Sequence, residues 1–184
     1  MRWGFSLVEL LIVLAILAAL VTAIVPILDN VLVKGKAMSI VMDARAIKSA
    51  VHAYFFDTGD FPKAGLDFYD PGTEDDRGFK YFIEDDGSGK WNGPYLSALP
   101  ENTPWNTTFR YWKSYITGTV YDAGGNPHTV NNLKCAVLTI GGFDDAGTRD
   151  KVDERIRKYI GWSYVGYSDT DKYYISVILW TEND

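Results

Sequence analysis

Cysteine and histidine are scarce in this chain of 184 residues. Cys135 is the single cysteine, so no disulfide can form within the chain, and an exported domain would have to rely on its core or on a bound metal. Because Cys135 lies in an apolar run, we expect it to be a small buried side chain. The two histidines, His52 and His128, are too isolated in sequence to indicate a zinc site.

Several function classes are disfavoured by what else is missing. A net charge of −6 argues against nucleic-acid binding by the whole surface. The sequence contains no internal repeat or low-complexity tract. It also contains no nucleophile elbow, phosphate loop or metal triad, so a membrane-anchored enzyme is a weak alternative and we predict no catalytic activity. A module that grips a ligand with exposed aromatic residues is a second alternative, although aromatic residues at strand spacing more often form core.

A long apolar run near the N-terminus is the most informative segment. Residues 10–28 contain no charged side chain. At about 1.5 Å per residue they form a helix roughly 28 Å long, close to the ~30 Å hydrocarbon core of a bilayer. Glu9 stands directly before this run. Since a charge at mid-helix costs on the order of 2.5–3.5 kcal/mol in a membrane, we expect Glu9 to have a specific partner.

Three interpretations of this segment compete. A secretory signal peptide needs an apolar core of about 7–15 residues and a small-residue cleavage site, whereas this run is longer and residues 29–34 offer no such site. A plain transmembrane anchor explains the length but neither Glu9 nor the Gly4–Phe5 junction. Cleavage ahead of the run, which leaves the apolar helix at the start of the mature chain, accounts for all three features.

The motif GFSLVEL, residues 4–10, resembles the prepilin signal of type IV pilins and of the pseudopilins of type II secretion. The resemblance implies that residues 1–4 are a leader, that a prepilin peptidase cleaves between Gly4 and Phe5, and that Phe5 is then N-methylated. Pro26 also lies where these families usually have a proline, and the resemblance assigns it to assembly.

The same resemblance implies a role for Glu9 in assembly. In these families the glutamate is thought to neutralise the N-terminal amine of a neighbouring subunit as it joins the filament. Pairing opposite charges at low dielectric is stabilising, and leaving one unpaired is costly. Glu9 would therefore have no partner until the chain is cut and a neighbour arrives. A glutamate at the membrane edge that needs no partner is the alternative.

The remaining sequence predicts one soluble domain over residues 29–184. Apolar residues recur at helical spacing over residues 29–58, which predicts an amphipathic helix that follows the membrane helix of residues 5–28. Gly59 is expected to end this helix. Between Pro26 and Gly35 we expect local melting or bending when subunits pack in a filament.

The rest of the domain divides into a loop-rich part, residues 59–108, and a β-sheet part, residues 109–184. Three segments are rich in aromatic and β-branched residues and predict strands: Phe109–Gly118, Leu133–Ile140 and Tyr173–Thr181. Together they predict an α+β, pilin-like fold, in which the long N-terminal helix packs on a small antiparallel sheet.

A second pattern separates the two related families. The turn segments of residues 91–96, 99–100 and 104–106 are similar to the GPYL, LP and PWG turns of the major pseudopilin, with Asn106 replacing the glycine. Many type IV pilins also staple their C-terminal region with a disulfide, which a chain with one cysteine cannot do. Both observations favour a pseudopilin.

Major pseudopilins carry a calcium site in the loop between their last strands. Calcium prefers six to eight oxygen ligands, and four aspartates occupy the corresponding loop here: Asp144, Asp145, Asp150 and Asp153. The resemblance therefore implies Ca²⁺ as a cofactor, and no other cofactor is expected. The alternative is that Asp150 caps a short helix over residues 151–159 while the others are solvated.

These resemblances imply a structural subunit of a pseudopilus, the filament that drives protein export in type II secretion. The implied partners are further copies of the chain, minor pseudopilins, an inner-membrane platform protein, a secretion ATPase and the prepilin peptidase. The implied location is the bacterial inner membrane, with a single pass, a cytoplasmic N-terminus and a periplasmic domain, before assembly into the filament. A type IV pilin for adhesion, twitching motility or DNA uptake is the alternative.

Overall fold

A computed structural model describes residues 6–63, 78–98, 103–105, 107–168 and 172–181, apart from the side chains of Pro26, Asp29, Asn30, Tyr167, Ser168 and Lys172. Three helices and four strands occur in these residues: α1 Leu7–Thr58, α2 Lys80–Ile83, β1 Thr108–Tyr121, β2 Pro127–Phe143, α3 Ala146–Ile160, β3 Ser163–Ser168 and β4 Lys172–Thr181. The chain divides into two compact units, Met1–Gly35 and Lys36–Asp184.

In the second unit, α1 buries one face at helical spacing. The buried positions repeat every three or four residues, as a helix packed on one side requires: Ala37, Ile40, Val41, Ala44, Ile47, Val51 and Tyr54. All of them except Tyr54 belong to one core cluster, which also contains Phe109 and Tyr111 of β1 and Val152 and Ile156 of α3. The helix ends at Thr58, and Gly59 follows with φ +80°, the left-handed conformation expected of a helix stop.

The four strands are antiparallel, in the order β1-β2-β4-β3. The sheet curls until Tyr121 of β1 pairs with Ser163 of β3, and this single pair closes the ring. A second, smaller cluster of apolar side chains lies on the other face of β2 and includes Cys135, Val137 and Ile178. Cys135 is thus fully buried, as the sequence predicts. The α+β fold with a small antiparallel sheet is confirmed.

The structure differs from the sequence-based expectation at two places in this region. The sheet has a fourth strand, β3, in addition to the three predicted ones. Its six residues include a glycine and two serines and show no long β-branched run, so they give no clear strand signal. Helix α3 begins at Ala146 and is capped by Asp145, whose side chain accepts a hydrogen bond from the Thr148 amide at 2.8 Å. Asp150, predicted as the alternative cap, therefore lies inside the helix.

Two cations of α1 bind the C-terminal end of α3. Lys48 Nζ donates to the carbonyl oxygen of Ile160 at 3.3 Å, and Arg45 Nη2 donates to that of Tyr159 at 3.5 Å. The last carbonyls of a helix have no partners within the helix and carry partial negative charge. The two side chains therefore satisfy these carbonyls and fix α3 against α1.

We expect Gly78→Ala to destabilise the second unit more than Gly89→Ala. Both glycines have positive φ, +81° and +70°, so alanine at either costs about 1–2 kcal/mol from the backbone alone. Only at Gly78 would the added methyl group collide with a carbonyl oxygen, that of Tyr111. Overpacking adds about 1–3 kcal/mol.

Urea unfolding of both variants in a fragment of residues 29–184 measures the difference in free energy of unfolding. Gly89 has nothing within 4 Å of the added methyl position, so it controls for the backbone term. Equal losses in the two variants would contradict the close approach of residue 78 to β1.

Candidate functional site

The first unit contains the N-terminal part of α1. Leu7–Val25 has a mean hydropathy of 2.9 and is, among the described residues, the one helical segment long and apolar enough to cross a membrane. None of this window is buried within the structure. Its length is close to the ~20 residues that a helix needs to cross a bilayer, and an exposed apolar surface of this extent is unfavourable in water.

Glu9 and Ser6 form a capping box at the start of this helix. The Ser6 amide donates to Glu9 Oε2 at 2.9 Å, and Ser6 Oγ accepts a hydrogen bond from the Val8 amide at 3.3 Å. Both amides belong to the helix N-terminus, where no backbone carbonyl is available to them. The two side chains therefore satisfy orphan donors, and the carboxylate lies at the positive end of the helix dipole.

This contact gives Glu9 a hydrogen-bond partner in its own chain, and the pairing of its charge with a neighbouring subunit stays a prediction. The spacing Ser-x-x-Glu, from Ser6 to Glu9, is the sequence signature of a capping box. A carboxylate has two oxygens and about four lone-pair sites. The bond from Ser6 uses one of these sites, so capacity remains for a cationic partner.

The N-terminal segment contains three further predicted site residues: Gly4, Phe5 and Pro26. Gly4 and Phe5, the predicted cleavage and methylation positions, lie outside the described residues. Helix α1 includes Pro26 and Gly35, but the side chain of Pro26 also lies outside them. Cleavage, methylation and bending during assembly stay predictions.

The segment predicted as a calcium loop is largely helical: Asp144 and Asp145 lie between β2 and α3, whereas Asp150 and Asp153 lie within α3. Three of these carboxylates have partners within the chain. Asp145 caps α3, and Asp150 forms an ion pair with Arg149 at 2.7 Å. Asp153 is buried, accepts a hydrogen bond from Ser163 Oγ at 2.5 Å and pairs with Arg157 at 3.2 Å. The bond between Asp153 and Ser163 joins α3 to the start of β3. Three of the four predicted calcium ligands, Asp145, Asp150 and Asp153, thus have partners within the protein.

The described residues contain no group of three or more His, Cys, Asp or Glu side chains that could hold a metal ion. Calcium binding by Asp144, Asp145, Asp150 and Asp153 therefore stays a prediction. The test is the melting temperature of residues 29–184 in added calcium and in chelator. Equal melting temperatures would contradict the prediction of a calcium site.

Asp60, the residue after Gly59, binds two strands. Its carboxylate contacts Lys113 Nζ of β1 at 2.6 Å and Lys134 Nζ of β2 at 3.1 Å. Burial disfavours ionisation of Asp60, but hydrogen bonds from Lys113, the Phe61 amide and Lys134 outweigh it and lower the pKa of Asp60. This cluster fixes the end of α1 to the sheet.

Comparison with known proteins adds one finding. Residues 31–120 match the family model described as PilW, C-terminal. The match includes the part of α1 in the second unit and most of β1. Neither the comparison with curated proteins nor that with solved structures gave a match.

Leu99, Pro100 and Asn106 of the turn pattern lie outside the described residues.

We expect Asp153 to favour folding at low pH. Burial raises the pKa of Asp153 above its ordinary value of 3.8, although Ser163 and Arg157 partly oppose the rise. The folded chain therefore holds this proton more tightly than the unfolded chain does. The contribution is complete below pH 3.8 and is lost as pH rises through the raised pKa. Relative to Asp153→Asn, the natural chain should lose stability across that range.

Asp60→Asn provides a comparison of opposite sign. Because the pKa of Asp60 is lowered, its contribution is present above pH 3.8 and is lost as pH falls through the lowered pKa. Urea unfolding of both variants of residues 29–184 from pH 3 to pH 7 measures the two slopes. If the loss of stability caused by Asp153→Asn became larger with rising pH, the raised pKa of Asp153 would be contradicted.

Proposed function

We propose that the chain is a structural subunit of a pilus-like filament, assembled from a membrane. One observation carries this proposal: the apolar helix Leu7–Val25 has no cover from the rest of the described chain. A membrane can surround this helix before assembly, and copies of the same helix can surround it afterwards. The PilW-like segment at residues 31–120 supports a pilus-related role independently.

The specific filament that we propose is the pseudopilus of a type II secretion system, in which assembly from the inner membrane drives protein export. The turn pattern around Gly93 and Pro94 and the lone Cys135 support this assignment. Minor pseudopilins, a platform protein, a secretion ATPase and a prepilin peptidase would be its partners. The soluble domain would be periplasmic, with the N-terminus cytoplasmic.

A type IV pilin is the second candidate, and the PilW-like segment favours it. Deletion of the gene separates the two. Loss of exoprotein secretion supports the pseudopilus, whereas loss of long surface pili, twitching or DNA uptake with secretion intact supports the pilin.

Within the filament, Glu9 would pair with the N-terminal amine of Phe5 in a neighbouring copy. Its bond to the Ser6 amide would persist in the membrane and partly offset the cost of the charge there. The pairing would favour one axial offset between copies, because both charges are satisfied only at that offset.

Glu9→Gln and Glu9→Ala test the role of the charge separately from that of the cap. Glutamine can still accept the hydrogen bond from the Ser6 amide, as glutamate does in a capping box, but it has no charge. We expect both variants to be cleaved normally and both to assemble poorly. Cleavage is read from the mass of the chain, and assembly from the yield of sheared filaments.

Glu9→Asp, which keeps the charge on a shorter side chain, should retain cleavage and weaken assembly. Normal filaments from Glu9→Gln with defective filaments from Glu9→Ala would show that the cap, and not the charge, is required.

A further inference from the structure

The outer face of α1 in the second unit has an unusual composition. From Ser39 to Asp57 the exposed positions include six uncharged residues at alternating spacings of three and four, which form one straight stripe on a helix. We call these six residues the seam: Ser39, Met42, Ala46, Ser49, Ala53 and Phe56. The outer stripe of a surface helix is ordinarily charged or polar, so this one differs from a face that remains in water.

Large and small side chains alternate along the seam. Met42 is 62% exposed, and Phe56 is 78% exposed although its ring lies 5.7 Å from that of Trp180. Ala46, Ser49 and Ala53 lie between them and form a shallow stretch where another helix can approach closely. Met42 and Phe56 are separated by two heptads, about 21 Å along the helix. They can therefore pack against the small side chains of the seam of a second copy.

Charges flank the seam asymmetrically. In the heptad that places Ala46 at position a and Met42 at position d, the exposed acids Asp43 and Asp57 fall at position e, and the exposed base Arg45 falls at position g. The guanidinium of Arg45 has five N–H donors, so its bond to the Tyr159 carbonyl leaves donors for a second partner. Parallel helices bring position g against position e of the partner helix, whereas antiparallel helices bring e against e. A second copy in parallel orientation is therefore favoured, because an antiparallel one would place acid against acid.

The charges also select an axial offset. In a parallel pair in register, Arg45 would face Ala50 of the second copy, which is buried and uncharged. An offset of one heptad in either direction, about 10 Å, places Arg45 against Asp43 or Asp57 of the second copy. The same offset places Met42 opposite Ser49, so large side chains meet small ones.

We propose that the seam is the surface through which the second unit binds another copy of this chain, parallel and offset by one heptad. This inference rests on the proposed function, in which all copies enter one membrane by the same N-terminal helix and so share one orientation. It adds a contact in the second unit that is separate from the apolar run and from Glu9.

Cysteine cross-linking of the full chain tests the contact and the offset together. Two chains, one with Met42→Cys and one with Ser49→Cys, are produced in the same cells on a Cys135→Ala background, and membranes are treated with an oxidant. We expect several-fold more disulfide-linked dimer from the mixed pair than from either variant alone. Thr119→Cys, at an exposed position of β1, provides the random-collision control.

Cross-linking equal to that of Thr119→Cys overturns the seam. More dimer from Ser49→Cys alone than from the mixed pair overturns the offset. Because the reaction is done on membranes whether or not filaments form, it gives an answer even if the proposed function fails. Normal filaments with control-level cross-linking would overturn the seam and leave the function standing.

Charge insertion gives a second readout. Ala53→Arg places a charge on the seam, and Ala123→Arg places the same charge on an exposed turn between β1 and β2. We expect only Ala53→Arg to reduce filament yield several-fold, with the melting temperatures of both variants close to that of the natural chain. Equal yields from the two variants would count against the seam.

Discussion

Burial of β2 on both faces is the constraint on which the second unit depends. From Cys135 to Gly141 every residue of this strand is buried, so each face needs a separate cover. Alternate residues face the two clusters: Ala136 and Leu138 contribute to the cluster with α1 and α3, and Cys135 and Val137 contribute to the one enclosed by the curled sheet. Inside the sheet, the hydroxyls of Thr139 and Ser176, which would be costly if unpaired, hydrogen-bond to each other at 2.8 Å. Without α1 on one side and the closure of the sheet on the other, this strand would expose a long apolar surface.

Much of this arrangement could be predicted from residue patterns, and the failures have physical reasons. The helical spacing of α1 and the β-branched runs of β2 and β4 are repeated over many residues, so their signals add up. The short strand β3 has too few residues for such a sum, and its place is set by pairing with β4. Aspartate is a favoured N-cap residue at either position 145 or position 150, and only the folded chain shows that Asp145 is the cap. Long-range contacts, such as Asp60 with two lysines, leave no periodic trace in a sequence.

The N-terminal segment illustrates a different difficulty. Glu9 serves a local purpose, the capping of its own helix, and in the proposed function a purpose between chains. The resemblance to a prepilin signal predicts only the role between chains, whereas the capping role follows from the spacing of Ser6 and Glu9. The two are compatible because a carboxylate accepts several hydrogen bonds. The exposed apolar helix and the seam of α1 have no cover from the described part of the chain. In the proposed filament, neighbouring copies would cover both.

The polar contacts of α1 have a mechanical consequence. In the proposed filament, a push or pull on the subunits would load each chain along this helix, and the load would pass into the second unit through these contacts. Asp60 would transmit it near the helix end to two adjacent strands through Lys113 and Lys134, and Arg45 and Lys48 would transmit it to α3. The force would be distributed over three elements, and slippage of the helix would require several polar contacts to break at once.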